Sequence, residues 1–133
     1  MEKKLISVII PTYNEKENII NLIIEIKKKL AKTKYKSEII VIDDNSPDNT
    51  AQAIKKKFKD DNIHLFVRKN NRGLASAILF GIKQSKGEIV IGMDADFNHP
   101  PEKIITLIRE LKNNDLVVAS RFITGGGMEQ KIK

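Results

Sequence analysis

The sequence predicts an α/β fold built on a doubly wound, mainly parallel sheet in a single domain. Three observations carry this expectation. Runs such as Ser7-Val8-Ile9-Ile10, Glu38-Ile39-Ile40-Val41-Ile42 and Glu88-Ile89-Val90-Ile91 are almost continuously apolar and β-branched, as strands buried on both faces are. Between them lie segments whose apolar residues recur at helical spacing. Strand and helix signals alternate without a linker or low-complexity stretch, which is the pattern of right-handed β-α-β crossovers.

Each element follows from its residues. Leu5–Pro11 reads as the first strand. Ile19, Ile23, Ile26 and Leu30 form a stripe over a helix at Glu15–Lys32. Its first turn carries Glu15 and Glu17, where the positive end of the helix dipole favours them. Glu38–Asp43 is the second strand, Asp48–Phe58 a short helix capped by Asp48 or Thr50, and Ile63–Arg68 the third strand. Gly73–Lys86 is a helix rich in small residues (Ala75, Ser76, Ala77, Gly81), with Gly87 as its stop. Glu88–Met93 is the fourth strand. Pro100–Asn113 fits a helix with proline in its first turn and a stripe of Ile104, Ile105, Ile108 and Leu111. Leu116–Ala119 is the fifth strand, and Ser120 to Gly127 reads as a loop.

Composition narrows the function classes. The chain has 133 residues, room for one modest domain and one core. It is 41% hydrophobic and 31% charged, the balance of a soluble globular protein. The absence of cysteine excludes disulfides and thiolate metal sites and fits a cytoplasmic location. No stretch approaches the ~18 apolar residues of a spanning helix. The net charge of +7 resides in part in runs at helix ends, Lys27-Lys28-Lys29 and Lys55-Lys56-Lys57, where lysine complements the dipole. Aromatic residues make up 5% and do not interleave with these runs, which argues against a nucleic-acid partner. The same charge is compatible with peripheral contact on the cytoplasmic face of an anionic membrane.

Chemistry concentrates at the strand ends. Pro11-Thr12-Tyr13-Asn14-Glu15 follows strand one, Asp43-Asp44-Asn45-Ser46 strand two, Asp94-Ala95-Asp96 strand four and Ser120-Arg121 strand five. A parallel sheet brings all four to one edge, where open α/β sheets bind ligands. Asp94 and Asp96 are two like charges close enough to repel unless a cation lies between them. Oxygen ligands suit Mg²⁺ or Mn²⁺, an ion that usually keeps a substrate phosphate as a further ligand. There is no Gly-x-Gly-x-x-Gly after strand one, no P-loop and no Ser/His/Asp elbow. His64 lies within a strand and reads as structural, whereas His99 follows the acidic pair and is a candidate to line the site.

Ser7–Glu15, Val41–Asp48 and Met93–Pro101 together resemble the family 2 inverting glycosyltransferases of GT-A fold, and among them the dolichol-phosphate (polyprenyl-phosphate) mannosyltransferases. Arg72-Gly73-Leu74, Ser120-Arg121-Phe122 and the run Gly125–Gly127 add to the likeness, which extends from Leu5 to Gly127. It implies that Pro11, Tyr13 and Glu15 hold the nucleoside, with Glu15 on the ribose. Ile42 and Asp44 frame the base, Asp44 accepting a base N–H, while Asp43 serves the turn. Asp94 and Asp96 face the metal and diphosphate beside the Ala95 backbone. Asn98 stands where relatives commonly carry Gln. Asp96 and Arg121 carry catalysis, with Arg121 on phosphate. The implied reaction moves a sugar, with GDP-mannose favoured as donor, to a polyprenyl phosphate. That acceptor is already ionised near neutral pH, because a phosphate monoester has its second pKa near ~6, so no strong general base is required. One in-line displacement inverts the anomeric centre. A UDP-sugar donor and a non-catalytic nucleotide-sugar-binding module are the alternatives. The family's catalytic unit is longer, so the sequence reads as the donor-binding part, with the C-terminal acceptor and membrane region absent. Apolar surface left open beside strand five and the fourth helix then predicts a homo-oligomer.

Overall fold

Two strands of equal length form the centre of the molecule. β1 (Leu5–Thr12) and β2 (Lys36–Asp43) pair in parallel from Leu5↔Lys36 to Thr12↔Asp43. The computed structural model describes residues 4–70, 73–95, 116–119 and 129–132, together with Thr106 and Ile108. β3 (Ile63–Val67) joins the outer side of β2, and β4 (Ile89–Gly92) joins the other side of β1, both in parallel. β5 (Leu116–Ala119) extends the sheet beyond β4 in parallel, and β6 (Glu129–Ile132) pairs with β5 antiparallel. The order is therefore β3-β2-β1-β4-β5-β6. Strand order reverses between β1 and β4, which makes their C-terminal ends the switch point of the sheet.

Helices cover both faces, as the continuous apolar strands require. α1 (Lys16–Ala31) buries Ile19, Leu22, Ile23, Ile26 and Leu30. With Ile54 of α2 (Thr50–Lys57) they pack against Ile6, Val8, Ile10, Ile39 and Val41. α3 (Leu74–Gln84) covers the other face, where Ala77, Ile78 and Phe80 meet Ile9, Ile40, Ile42 and Phe66. Alternate residues of β1 and β2 thus enter opposite cores, the period-2 geometry of a strand. Small residues set the depth of α3. A methyl group built on Gly81 would come within 2.5 Å of Ile9 Cγ2 and 2.9 Å of Ile42 Cδ1. The run of small residues is therefore a close helix-sheet contact.

Several expectations need correction. The cap position of α2 is Asn49, in the left-handed region, rather than Asp48 or Thr50. Asp48 still accepts from the Thr50 N–H at 3.0 Å, so the carboxylate works from one residue further out. α3 ends at Gln84 and not at Gly87, because Ser85 turns extended and its hydroxyl donates to the Ile82 carbonyl at 2.6 Å. Gly87 serves the entry to β4 instead, where a side chain would come within 2.5 Å of Ser7 Oγ. β6 was not expected, since Glu129-Gln130-Lys131-Ile132 carries a weak apolar signal. It pairs with the outer edge of β5. Of the helix expected over residues 100–113, Thr106 and Ile108 are described as helical, and Ile108 packs on the α1 side of the core. The rest of that segment lies outside the described residues.

At the N-terminal end of the sheet sits a buried carboxylate. Glu38 accepts from the Ser7 hydroxyl at 2.5 Å and from the Lys86 N–H at 2.7 Å, and His64 Nε2 lies 3.3 Å from its other oxygen. The Gly87 N–H donates to Ser7 Oγ at 2.8 Å. His64 is thereby placed in a structural network, at the end of the sheet away from the strand-end motifs.

Gly81→Ala is expected to lower unfolding stability by about 1–3 kcal/mol, the usual cost of overpacking a tight contact. Urea unfolding of both chains measures it, and an unchanged midpoint would show that α3 has room to withdraw.

Candidate functional site

The level ends of β1 and β2 place two loops side by side, and side chains of the second fasten the backbone of the first. The Asn14 N–H donates to Ser46 Oγ at 2.9 Å, the Glu15 N–H to Thr50 Oγ1 at 3.2 Å and the Lys16 N–H to Asp48 Oδ2 at 3.2 Å. These N–H groups lie at the start of α1, where backbone donors lack helical partners. Asn14, Asn45 and Asn49 all adopt positive φ, at 56°, 58° and 68°. Asn tolerates this region better than other residues with a Cβ, so these asparagines shape the loops.

Asp43 and Asp44 divide the work at the end of β2. Asp43 is 1% exposed. It accepts from the Thr12 hydroxyl at 2.8 Å, the Ser46 hydroxyl at 2.5 Å and the Ser46 N–H at 3.0 Å. It builds the turn. Asp44 instead reaches sideways to Arg68, just past β3. Arg68 Nε donates to Asp44 Oδ1 at 2.8 Å and the terminal NH2 to Oδ2 at 3.1 Å. The Gly73 N–H adds a third donor at 2.9 Å to Oδ2. Gly73 has φ of 134°, a conformation that suits glycine.

Pro11, Thr12, Tyr13, Asp44, Gly73 and Leu74 line a cleft of about 530 Å³ above the ends of β1 and β2. Its size is within the range of small-molecule sites. Pro11, Tyr13 and Asp44 are thus brought together as the sequence predicted. Tyr13 is 47% exposed and forms an open wall. Glu15 lies in the same loop, one residue before α1, and its carboxylate accepts from Asn18 Nδ2 at 3.3 Å. Ile42 does not join them: its side chain is fully buried in the core beneath α3. Alternation along β2 sends it into the sheet face, so its side chain does not reach the cleft.

Asp94 and Ala95 follow β4, held in line by the Met93 N–H donating to the Ile9 carbonyl at 3.0 Å. They stand at the same sheet edge, across the switch point from Asp44. Ala95 is buried. Asp96, Asn98, His99 and Arg121 lie outside the described residues. Among the described residues no three His, Cys, Asp or Glu side chains cluster. Asp94 nevertheless suits a Mg²⁺ or Mn²⁺ site, because such ions take one or two carboxylates and complete their shell with phosphate and water.

Thr12, Arg68, Gly73 and Leu74 were not assigned to the site from sequence. Arg68 carries a readable signal, since it ends the third strand at the ligand-binding edge. Leu74 gives none beyond its place in Arg72-Gly73-Leu74.

A sheet parallel from β3 to β5, with helices on both faces and a strand-end cleft beside an acidic turn, agrees with the GT-A-type, nucleotide-diphosphosugar-transferase fold that the resemblance implies. The chain belongs to glycosyl transferase family 2, whose model matches residues 7–133. Dolichol-phosphate mannosyltransferase of Pyrococcus furiosus is 42% identical over 128 residues, covering 93% of this chain and 35% of that protein. The protein of the same name from Saccharomyces cerevisiae is 36% identical over 129 residues, covering 93% and 47%. The chain therefore spans between a third and a half of the length of these relatives. Among solved structures, a mannosyltransferase from Pyrobaculum calidifontis in complex with GDP-Man and Mn²⁺ superposes with a TM-score of 0.70 at 28% identity, covering 84% of this chain and 33% of that one. Among the described residues no helix is long and apolar enough to cross a membrane.

Burial pushes the Asp48 carboxyl up. Hydrogen bonds from the Thr50 hydroxyl and from the Lys16 and Thr50 N–H groups, with the nearby Lys16 charge, outweigh burial and hold it below its usual value of 3.8. A carboxyl lowered on folding adds stability above its unfolded value, and that contribution is lost as pH falls through the folded value. Asp48→Asn removes the titration. The stability gap between wild type and this variant is therefore expected to narrow as pH falls from about 6 to about 2.5. Denaturation midpoints across that range measure it, and a gap independent of pH would exclude the ionised Asp48 as the fastener.

Proposed function

We propose that this chain is the donor-binding part of a glycosyltransferase that moves mannose from GDP-mannose to a dolichyl or other polyprenyl phosphate. The cleft above β1 and β2 carries the reading. It gathers Pro11, Tyr13 and Asp44 with Gly73 and Leu74 at the sheet edge where the Asp94 turn also lies. The kinship with proteins named dolichol-phosphate mannosyltransferase supports the sugar and the acceptor. The 28% identical mannosyltransferase with GDP-Man and Mn²⁺ supports donor and ion. A 35% identical relative from Pseudomonas fluorescens is named undecaprenyl-phosphate 4-deoxy-4-formamido-L-arabinose transferase. It supports a second reading in which the lipid phosphate is kept and the sugar differs.

In this reading Tyr13 packs against the nucleoside, Glu15 accepts from the ribose, and Asp44 accepts an N–H from the base. Asp94 and Asp96 hold Mg²⁺ or Mn²⁺ against the diphosphate, and the ion, when bound, neutralises charge on the leaving nucleoside diphosphate. Asn98 and Arg121 add contacts to the diphosphate. The fastened loops after β1 and β2 hold Tyr13 and Glu15 in place before the donor arrives, so their positioning is settled by folding. The lipid phosphate attacks as an anion, and no residue of the chain need remove a proton from it.

GDP-mannose with Mn²⁺, at one hundred times its dissociation constant, is expected to stabilise the fold by about 2.7 kcal/mol. Asp94→Asn is expected to abolish the ion-dependent part of that shift in thermal melts, and equal stabilisation in excess chelator would refute the metal. Incubation with GDP-mannose, Mn²⁺ and a short polyprenyl phosphate is expected to yield mannosyl lipid slowly or not at all from these 133 residues alone. Rates matching a relative of full length would place the acceptor site within this chain.

A further inference from the structure

Asp44 meets the cleft already engaged. A carboxylate offers about four acceptor positions, and Arg68 and the Gly73 N–H take three through their hydrogen bonds. Arg68 is held in turn. Its NH1 donates to Ser76 Oγ at 2.7 Å and its NH2 to the Gly73 carbonyl at 3.2 Å, while its backbone N–H donates to the Asp43 carbonyl at 2.8 Å. Its guanidinium carbon lies 5.9 Å from the Phe80 ring centroid. The side chains of Arg68 and Asp44 are 10% and 11% exposed. Nearly every donor of the guanidinium is thus spent on orienting one carboxylate and on tying it to the first turn of α3.

We infer that Arg68 is the positioning residue for nucleobase recognition, locking Asp44 so that a single acceptor position faces the cleft and takes one N–H from the base. This rests on the nucleotide-binding reading of the cleft. The paired hydrogen bonds from Arg68 fix the plane of the Asp44 carboxylate, and the Gly73 N–H takes a second position on Oδ2. A base that offers an N–H at that point is accepted, and one that offers a lone pair there meets an oxygen and is repelled. Selectivity then comes from unpaired or opposed groups on the wrong base, the device by which buried polar sites discriminate. Lysine cannot replace Arg68, because an ammonium lacks the planar fork that grips both oxygens.

The test compares the wild-type chain with Arg68→Met and Arg68→Lys by calorimetry, using GDP, ADP and inorganic pyrophosphate, each with Mn²⁺. Arg68→Met is expected to weaken GDP by about ten- to a hundredfold, the loss of one or two charged hydrogen bonds. It should also erase the preference for GDP over ADP and leave pyrophosphate unchanged. Arg68→Lys keeps the charge and guards against a folding failure, and it is expected to recover the melting temperature but not the base preference. Equal weakening of GDP and pyrophosphate would reduce Arg68 to a structural role, and unchanged GDP affinity in either variant would overturn the inference. A wild-type chain that binds pyrophosphate but no nucleoside diphosphate would overturn the nucleotide reading together with it.

Discussion

The in-register parallel pairing of β1 with β2 is the constraint on which the rest of the site depends. Both strands run eight residues and end level, at Thr12 and Asp43. The next residues of each must then leave the sheet at the same height and in contact. Thr12 donates to Asp43 across this end, and the loops beyond are joined by Ser46, Asp48 and Thr50. A shift of one residue in register would turn every side chain of β2 to the opposite face. It would exchange the faces of Asp43 and Asp44 and turn Ile40 and Ile42 toward α1. The two separate cores on either side of the sheet prevent that shift, since Ile39 and Val41 fill one and Ile40 and Ile42 the other. Hydrophobic sorting thereby fixes which carboxylate builds the turn and which lines the cleft.

Much of this was legible in the residues. Continuous apolar strands and the 3.6-residue stripe of α1 predicted a parallel sheet with helices on both faces, and boundaries agree closely for β1, α1 and β5. The gathering of Pro11, Tyr13 and Asp44 at one edge followed from topology alone. What escaped prediction depended on tertiary contacts. Gly87 reads as a helix stop, yet its role is close approach to Ser7, a partner 80 residues away. Ile42 flanks an acidic pair in sequence, but alternation buries it. β6 has no apolar run of its own and exists because β5 offers it an edge. Arg68 could be read as a strand-end residue at the ligand-binding edge, but its partner could not, and the position of β3 beside β2 is what brings it to Asp44.

The two ends of the sheet use carboxylates differently. Glu38, at the N-terminal end, takes hydrogen bonds from the Ser7 hydroxyl and a backbone N–H and lies against His64, remote from solvent. It resembles a rivet between β1, β2 and the entry to β4. At the C-terminal end Asp43 is just as enclosed, but Asp44 lines an open cleft. Polar groups that must stay satisfied are thus kept away from those that must meet a ligand, which lets the site hold reactive charge without weakening the core.

The central position of β1 also bears on the order of assembly. Its first partner lies 31 residues along the chain, at the Ser7–Glu38 contact, and its second lies 80 residues along, at Gly87. The unit from β1 to β3 closes through short loops, whereas β4 must return across the opposite face under α3. Loop-closure entropy makes such distant pairings slow. Until β4 docks, β1 keeps one edge and one face open to other chains, so the most buried strand of the finished molecule is the one most exposed to aggregation while it forms.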